Sequence, residues 1–249
     1  MIEILVNRNK KQRTIALVEN GNLVELYDED ENTNRNEGNI YIGIVRDVLK
    51  GMQSAFIDIG TEKNSFIHLK DILPKIDETK EKPQEKVEIQ KVVKPGQKLL
   101  VQVKKDSNDK KGARVSTHIN LTSRYVVLMP DTDIVTISQK IEDEKESDRL
   151  LKLARENLTK GNGAIIRTSA VGKNDQIIKD IKKLEKKWNK IKEQFQNDNI
   201  NKPKLIYKSE EIIEKMIIDL SQKKLEKIVV NSKDDYDEIK KFQEENDEF

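Results

Sequence analysis

The chain has 249 residues, above the ~100 to 200 usual for one domain, so two or three small units are expected rather than one large core. Charged residues reach 37% against ~25% in an average globular protein, yet 47 Lys and Arg nearly cancel 45 Asp and Glu, so only a local patch can mark a polyanion partner. Zero Cys excludes disulfides and thiolate metal sites, two His leave little for zinc, and no apolar run approaches the ~18 residues of a membrane span; the start, MIEILVNRNKKQR, lacks a signal-like stretch, so a cytoplasmic location is expected.

In chain order, Glu3 to Asn7, Thr14 to Val18 and Leu23 to Leu26 read as short strands, with a hairpin turn at Asn20-Gly21-Asn22. From Gly38 the segments Asn39-Ile40-Tyr41-Ile42-Gly43-Ile44-Val45, Ser54-Ala55-Phe56-Ile57-Asp58-Ile59-Gly60, Ser65-Phe66-Ile67-His68-Leu69 and Lys98-Leu99-Leu100-Val101-Gln102-Val103 predict a small β-barrel. Residues 77–91, DETKEKPQEKVEIQK, read as a solvated loop, and Pro95-Gly96 as a turn before the last of these strands. Strands at Tyr125 to Pro130 and Gly163 to Thr168 flank a polar helix over 142–158 and predict a second, α/β unit. Ile177, Ile181, Leu184, Trp188, Ile191 and Phe195 recur at four- and three-residue steps, the core stripe of a long helix capped by Asn174 or Asp175. After Pro203 a strand, a helix through Ile212 to Leu220 and a strand at Lys227 to Val230 are expected, with the polar ending DDYDEIKKFQEENDEF frayed.

Single-stranded RNA is held by aromatic faces that stack bases and by cations that follow the phosphates. Phe56 and Phe66 are the candidates, because strand alternation puts each on the face opposite Ile57, Ile59, Ile67 and Leu69. Alternation alone does not say which face is the core. Lys104-Lys105 and Lys110-Lys111-Gly112-Ala113-Arg114 follow the last barrel strand; they read either as a solvated loop or as cations beside the aromatics. At Ile166-Arg167-Thr168-Ser169-Ala170-Val171-Gly172-Lys173 a strand ends in a small-residue turn. There the Arg167 fork, the Thr168 hydroxyl and turn N–H groups suit a terminal phosphate, the alternative being an Arg paired with a surface acid. Asn174 after Gly172-Lys173, and Arg167 in the slot of the first glycine, exclude a P-loop. Asp131, Asp133 and Glu142-Asp143-Glu144 read as solvated turns and helix starts. His68 and His118 lack a nucleophile partner, so no catalytic or metal residues are assigned.

Gly38-Asn39-Ile40-Tyr41, Gly51-Met52-Gln53-Ser54-Ala55-Phe56-Ile57-Asp58-Ile59-Gly60, Lys111-Gly112-Ala113-Arg114, Ser123-Arg124-Tyr125-Val126-Val127-Leu128-Met129-Pro130 and Ile166-Arg167-Thr168 together, in order and spacing, resemble the RNase E/G family. The resemblance implies a mixed α+β chain. An RNase H-like subdomain (1–36 and 206–249) would be interrupted by an S-one-type OB-fold domain (37–118) and a 5′-sensor subdomain (119–205). It implies that Phe56, Phe66 and Lys111 hold single-stranded RNA, and that Arg167 and Thr168 grip a 5′-monophosphate with Val127 packing beside the terminal nucleotide.

The family's Mg²⁺-binding segments, of Asp-Val-Asn-Thr-Gly and Asp-Phe-Ile-Asp-Met type, do not occur in this sequence, nor does its zinc-sharing Cys-Pro-x-Cys. The expectation is an amino-terminal half that binds 5′-monophosphorylated single-stranded RNA, carries no cofactor of its own and does not cut unaided. The alternatives are a Mg²⁺-dependent endoribonuclease whose catalytic half comes from a separate chain, and a non-enzymatic scaffold.

Overall fold

The computed structural model describes residues 1–30, 35–72, 87–199, 201–220 and 225–245. It divides into two compact units, Met1–Arg35 with Glu210–Phe249, and Asn36–Ser209. The first unit begins with β1 (Ile2–Asn9), β2 (Gln12–Glu19) and β3 (Asn22–Asp30). The second contains β4 (Ile40–Leu49), β5 (Ser54–Asp58), β6 (Ser65–His68), α1 (Ile89–Val92), β7 (Lys98–Lys105) and β8 (Arg114–Ser116). It continues with β9 (Leu121–Thr122), β10 (Val126–Pro130), β11 (Val135–Ile137), α2 (Glu144–Asn157), β12 (Asn162–Ile166), α3 (Asn174–Asn197) and β13 (Lys204–Tyr207). The first unit resumes as α4 (Ile212–Leu220), β14 (Leu225–Val230) and α5 (Lys233–Glu245).

In the first unit the sheet order is β14-β1-β2-β3, an antiparallel meander with β14 added parallel to β1. Asn20 and Gly21 both take positive φ (52° and 79°), the backbone a two-residue hairpin of this twist requires and Asn-Gly supplies cheaply. Ile2, Ile4 and Val6 of β1 alternate inward onto Ile15, Leu17, the α4 face Ile213-Met216-Ile217-Leu220, and Ile239 and Phe242 of α5. The polar ending expected to fray is therefore helical through Glu245. Ile239 and Phe242 leave water once they meet the sheet, a partner that local composition does not reveal.

In the second unit β4-β5-β6-β8-β7 close into a five-stranded barrel through β4–β7 pairing, the mixed α+β, OB-type architecture that was expected. One strand serves both seams: residues 40–44 of β4 pair with β7 and residues 44–49 with β5. Gly43 sits where the two seams meet, and a Cβ there would lie 2.5 Å from Cγ2 of Ile57, so only glycine lets β4 lie against the barrel core. β13 pairs with residues 40–42 of β4, so Lys204–Tyr207 belong with the barrel sheet. Of the segment read as a solvated loop, residues 77–86 lie outside the described residues, whereas Ile89–Val92 form a short helix with Ile89 fully buried in the barrel core.

The rest of this unit is a β11-β12-β10-β9 sheet with α2 on β11 and β12 and α3 on β10. The expected stripe on α3 is its core face, with Ile177, Ile181, Leu184, Trp188 and Ile191 buried; Phe195 is only half-buried, with the Lys98 ammonium 5.1 Å from its ring centre. The helix starts at Asn174 after Lys173, with no side-chain cap, in place of capping by Asn174 or Asp175.

Candidate nucleic-acid interface

Closure of the barrel decides the question that alternation left open. Ala55, Ile57 and Ile67 are fully buried with Val101 and Val115, so the opposite faces of β5 and β6 turn outward. Phe56 is 36% exposed and Phe66 half-buried. They stand directly opposite each other in the ladder, ring centres 6.3 Å apart at 69°, an edge-to-face pair. The same transverse row continues to Arg114, opposite Phe66, and to Lys105, opposite Arg114. Arg114 is held by Asp71 at 2.9 Å with its side chain 49% exposed, and Lys105 is exposed. Two aromatic rings and two cations thus lie along one line across the barrel.

Lys111 is placed by backbone. Asn108 accepts from the N–H groups of Lys110 and Lys111 (3.0 and 2.8 Å) and donates its own N–H to the Lys111 carbonyl (2.9 Å). Lys63 closes the loop from outside by donating to the carbonyls of Asn108 and Asp109. The next residue is Gly112, where a Cβ would lie 1.9 Å from the Asn64 carbonyl oxygen; its absence lets the chain run against the start of β6. Phe66 N–H then donates to the Ala113 carbonyl at 2.7 Å. Lys111, itself exposed, is tied in this way to the strand that presents Phe66.

Arg167 follows β12 in extended conformation (φ −84°, ψ 161°), so it shares a face with Ile165. Val127 lies opposite Ile165 across the β10–β12 ladder, and all three side chains are half-buried. Arg167 Nη1 donates to the Ser123 carbonyl and its N–H to the Tyr125 carbonyl, each at 2.9 Å. Thr168, half-buried, opens a single 3₁₀ turn in which Ser169 Oγ donates to the Arg124 carbonyl. The guanidinium is therefore aimed by the Ser123 carbonyl, and its backbone by that of Tyr125, with a hydroxyl next in sequence and an apolar residue on the same face.

Three supporting residues carry no signal in the sequence. Asp180, on the inward side of α3 and only 6% exposed, accepts from Ser123 Oγ and from Tyr125 N–H, both at 2.9 Å, so it fixes the segment on which Arg167 rests. Glu146 of α2 accepts from Arg149 Nε and Nη2 at 2.6 Å and from Gly172 N–H at 3.2 Å. Arg149 also donates to the Asn174 side chain, and its guanidinium holds the Glu146 carboxyl down at about 2. Gly172 has φ +69°, the left-handed backbone that ends the turn. The longer-range of these hydrogen bonds join residues from 25 to 57 positions apart in the chain, beyond the reach of any local pattern.

Two acids read as solvated turns and helix starts do local work: Asp143 caps α2 by accepting from Lys145 and Glu146 N–H groups, and Asp131 takes a positive-φ turn position. A cluster that spacing does not reveal lies in the first unit. Buried Arg13 is within ion-pair distance of Glu29, Glu211, Asp235 and Glu238, and Arg8 makes a two-pronged contact with fully buried Asp235. The Arg8 hydrogen bond lowers the Asp235 carboxyl, whereas burial raises Glu29 and lifts Glu238 to about 7. The centre of the cluster is filled by a guanidinium. Among the described residues no three His, Cys, Asp or Glu side chains are arranged to hold a metal ion.

The model of the Ribonuclease E/G family matches residues 120–248. Ribonuclease G of Escherichia coli (strain K12) is 36% identical over 247 residues, covering 98% of this chain and 50% of that protein. Ribonuclease G of Haemophilus influenzae is 38% identical over 248 residues with the same coverages, and Ribonuclease E of Nostoc sp. is 36% identical over 208 residues, 82% of this chain and 29% of that protein. The chain spans about half the length of the ribonuclease G relatives it matches. With that identity over nearly its whole length, the chain belongs to the ribonuclease E/G family.

Proposed function

We propose that this chain binds single-stranded RNA across the barrel and grips a 5′-terminal monophosphate at the Arg167 turn. The observation that carries the reading is the outward row Phe56-Phe66-Arg114-Lys105, which offers aromatic rings and cations in the combination an unpaired strand needs. Lys111 borders the row, and Arg167, Thr168 and Val127 supply a fork, a hydroxyl and an apolar neighbour for the phosphate and its nucleotide. In this reading the first unit is the RNase H-like part, residues 37–118 the S-one-type domain, and the sheet with α2 and α3 the 5′ sensor. A cytoplasmic setting goes with it; among the described residues no helix is long and apolar enough to cross a membrane.

Mg²⁺, which the family implies for cleavage, does not fit the residues described: no three acids converge on open space, and the one dense acidic cluster is filled by Arg13. The second reading is a Mg²⁺-dependent endoribonuclease whose catalytic half comes from a separate chain.

The test is fluorescence anisotropy with one RNA sequence carrying either a 5′-monophosphate or a 5′-hydroxyl. The parent chain should prefer the phosphate, and Arg167→Ala should erase that preference. A hydrogen bond to a charged group contributes ~1.5 to 3 kcal/mol, or roughly 10- to 150-fold. Equal binding of both RNAs by the parent refutes the sensor, and Mg²⁺-dependent cleavage by the purified chain alone refutes the non-cutting assignment.

A further inference from the structure

Helix α3 has a second face. Opposite the buried line Ile177-Ile181-Leu184-Trp188-Ile191 stand Lys179, Lys182, Lys186 and Lys190, spaced by three and four residues and all exposed, with exposed Lys183 among them. The helix also carries Asp175, Asp180, Glu185 and Glu193, and two of these acids are used inward. Asp180 is buried on Ser123 and Tyr125, and Glu185 accepts from Thr159 N–H (2.8 Å), Thr159 Oγ1 (3.0 Å) and Asn162 Nδ2 (2.9 Å). Asp175 and Glu193 lie at the two ends of the lysine row. Among the described residues no ion pair joins Lys179, Lys182, Lys186 or Lys190 to a carboxylate. The fold thus leaves a line of ammonium groups about 16 Å long, at ~1.5 Å per residue, unneutralised on a chain whose total charge nearly cancels.

We infer that this row is a contact surface for the phosphate backbone of RNA, separate from the barrel and from the Arg167 turn. Lysine is a mobile point charge that follows phosphates without reading bases. A lipid surface is a poorer match, because the apolar side of α3 is consumed by the core and the lysine face has no exposed aromatic or aliphatic residue to insert. Through Asp180 the helix is bonded to the same residues that aim Arg167, so a strand held at the turn and one lying on α3 meet a single packed body. The inference rests on the RNA-binding reading for its ligand, but not on the barrel aromatics.

The test replaces Lys179, Lys182, Lys186 and Lys190 together by Gln, a near-equal helix former, and follows binding of an unstructured 5′-hydroxyl RNA against salt. A control of equal charge replaces Lys91, Lys94, Lys145 and Lys152. Both variants should melt like the parent. The α3 variant should bind at least about tenfold more weakly at low salt, with its log–log salt slope flattened by ~0.7 for each phosphate it no longer neutralises, up to roughly 3. The same weakening should appear in a Phe56→Ala/Phe66→Ala background. An unchanged slope in the α3 variant, or an equal change in the control, overturns the inference and leaves the barrel reading standing. If the double Phe variant binds like the parent while the α3 variant loses affinity, the barrel reading fails and this one holds. A parent with no RNA affinity overturns both.

Discussion

Replacing Asp180 by alanine removes the hydrogen bonds its carboxylate accepts from Ser123 Oγ and Tyr125 N–H and strands the Tyr125 N–H in the interior. Each bond has an ionised acceptor, worth about 1.5 to 3 kcal/mol, and an unpaired buried N–H costs ~1 to 3 kcal/mol. These terms overlap, so a net loss of about 2 to 4 kcal/mol is expected. For a unit of this size that lowers Tm by roughly 4 to 16 °C. The functional effect is separate. Arg167 rests on the carbonyls of Ser123 and Tyr125, and once those drift its fork is no longer aimed. The ratio of 5′-monophosphate to 5′-hydroxyl affinity should collapse toward one, while 5′-hydroxyl RNA, held on the barrel, binds within about twofold of the parent. Asp180→Asn is the informative partner, because its amide can accept from Tyr125 N–H and donate to the Ser123 hydroxyl, so it should retain most of the preference. The assay is anisotropy at a temperature where every variant is folded by circular dichroism. A folded Asp180→Ala protein with full phosphate preference would refute the argument that this carboxylate positions Arg167.

On the barrel, Phe56→Ala and Phe66→Ala should each weaken binding of both RNAs by ~1 to 3 kcal/mol per unstacked base, roughly 5- to 150-fold, and Phe66→Ala should lower Tm more because Phe66 is the more buried ring. Unaltered affinity in both would remove the aromatic row from the mechanism. Gly112→Ala drives a methyl group to 1.9 Å from the Asn64 carbonyl oxygen, so backbone must move at a cost of about 1 to 3 kcal/mol, with the Phe66–Ala113 hydrogen bond the first to suffer. A melt identical to the parent's would show that the loop adjusts freely. In the first unit, Glu238 is raised from its ordinary 4.5 to about 7, so the folded state takes up a proton between those values and stability falls as pH rises from about 4.5 through 7. Asp235, held low by Arg8, acts oppositely: its contribution is present above its ordinary value of 3.8 and lost as pH falls below it. With the Glu238 side chain 35% exposed, the upper limb should be no more than about 1 kcal/mol. Glu238→Gln should remove most of it, with Glu29, also raised by burial, supplying the remainder, as read by amide exchange of β1 and β2 between pH 5 and 8; an undiminished limb would place the proton elsewhere.

The barrel strands, the Trp188 stripe and the outline of the α/β layer were legible because each is written in a period of two or 3.6 over adjacent residues. The candidate residues were legible for a different reason: Phe56, Phe66, Lys111, Val127, Arg167 and Thr168 sit in short motifs whose order survives without any knowledge of contacts. What could not be read were interactions between residues far apart in the chain. Asp180 looks like one more polar residue of a helix, and Arg13 gives no hint that Glu211, Asp235 and Glu238 will gather around it from some two hundred positions away. The lysines of α3 were equally visible, but which of the neighbouring acids would be drawn inward was not.

Alternation on β5 and β6 is local, and it is enough to set the two phenylalanines opposite the isoleucines. Which of those faces is wet depends on barrel closure: pairing of β4 with β7 brings Val101, Val103 and Val115 to the isoleucine side and leaves the rings outside. Burial is a property of what lands against a residue, and that depends on chain closure that no local period encodes.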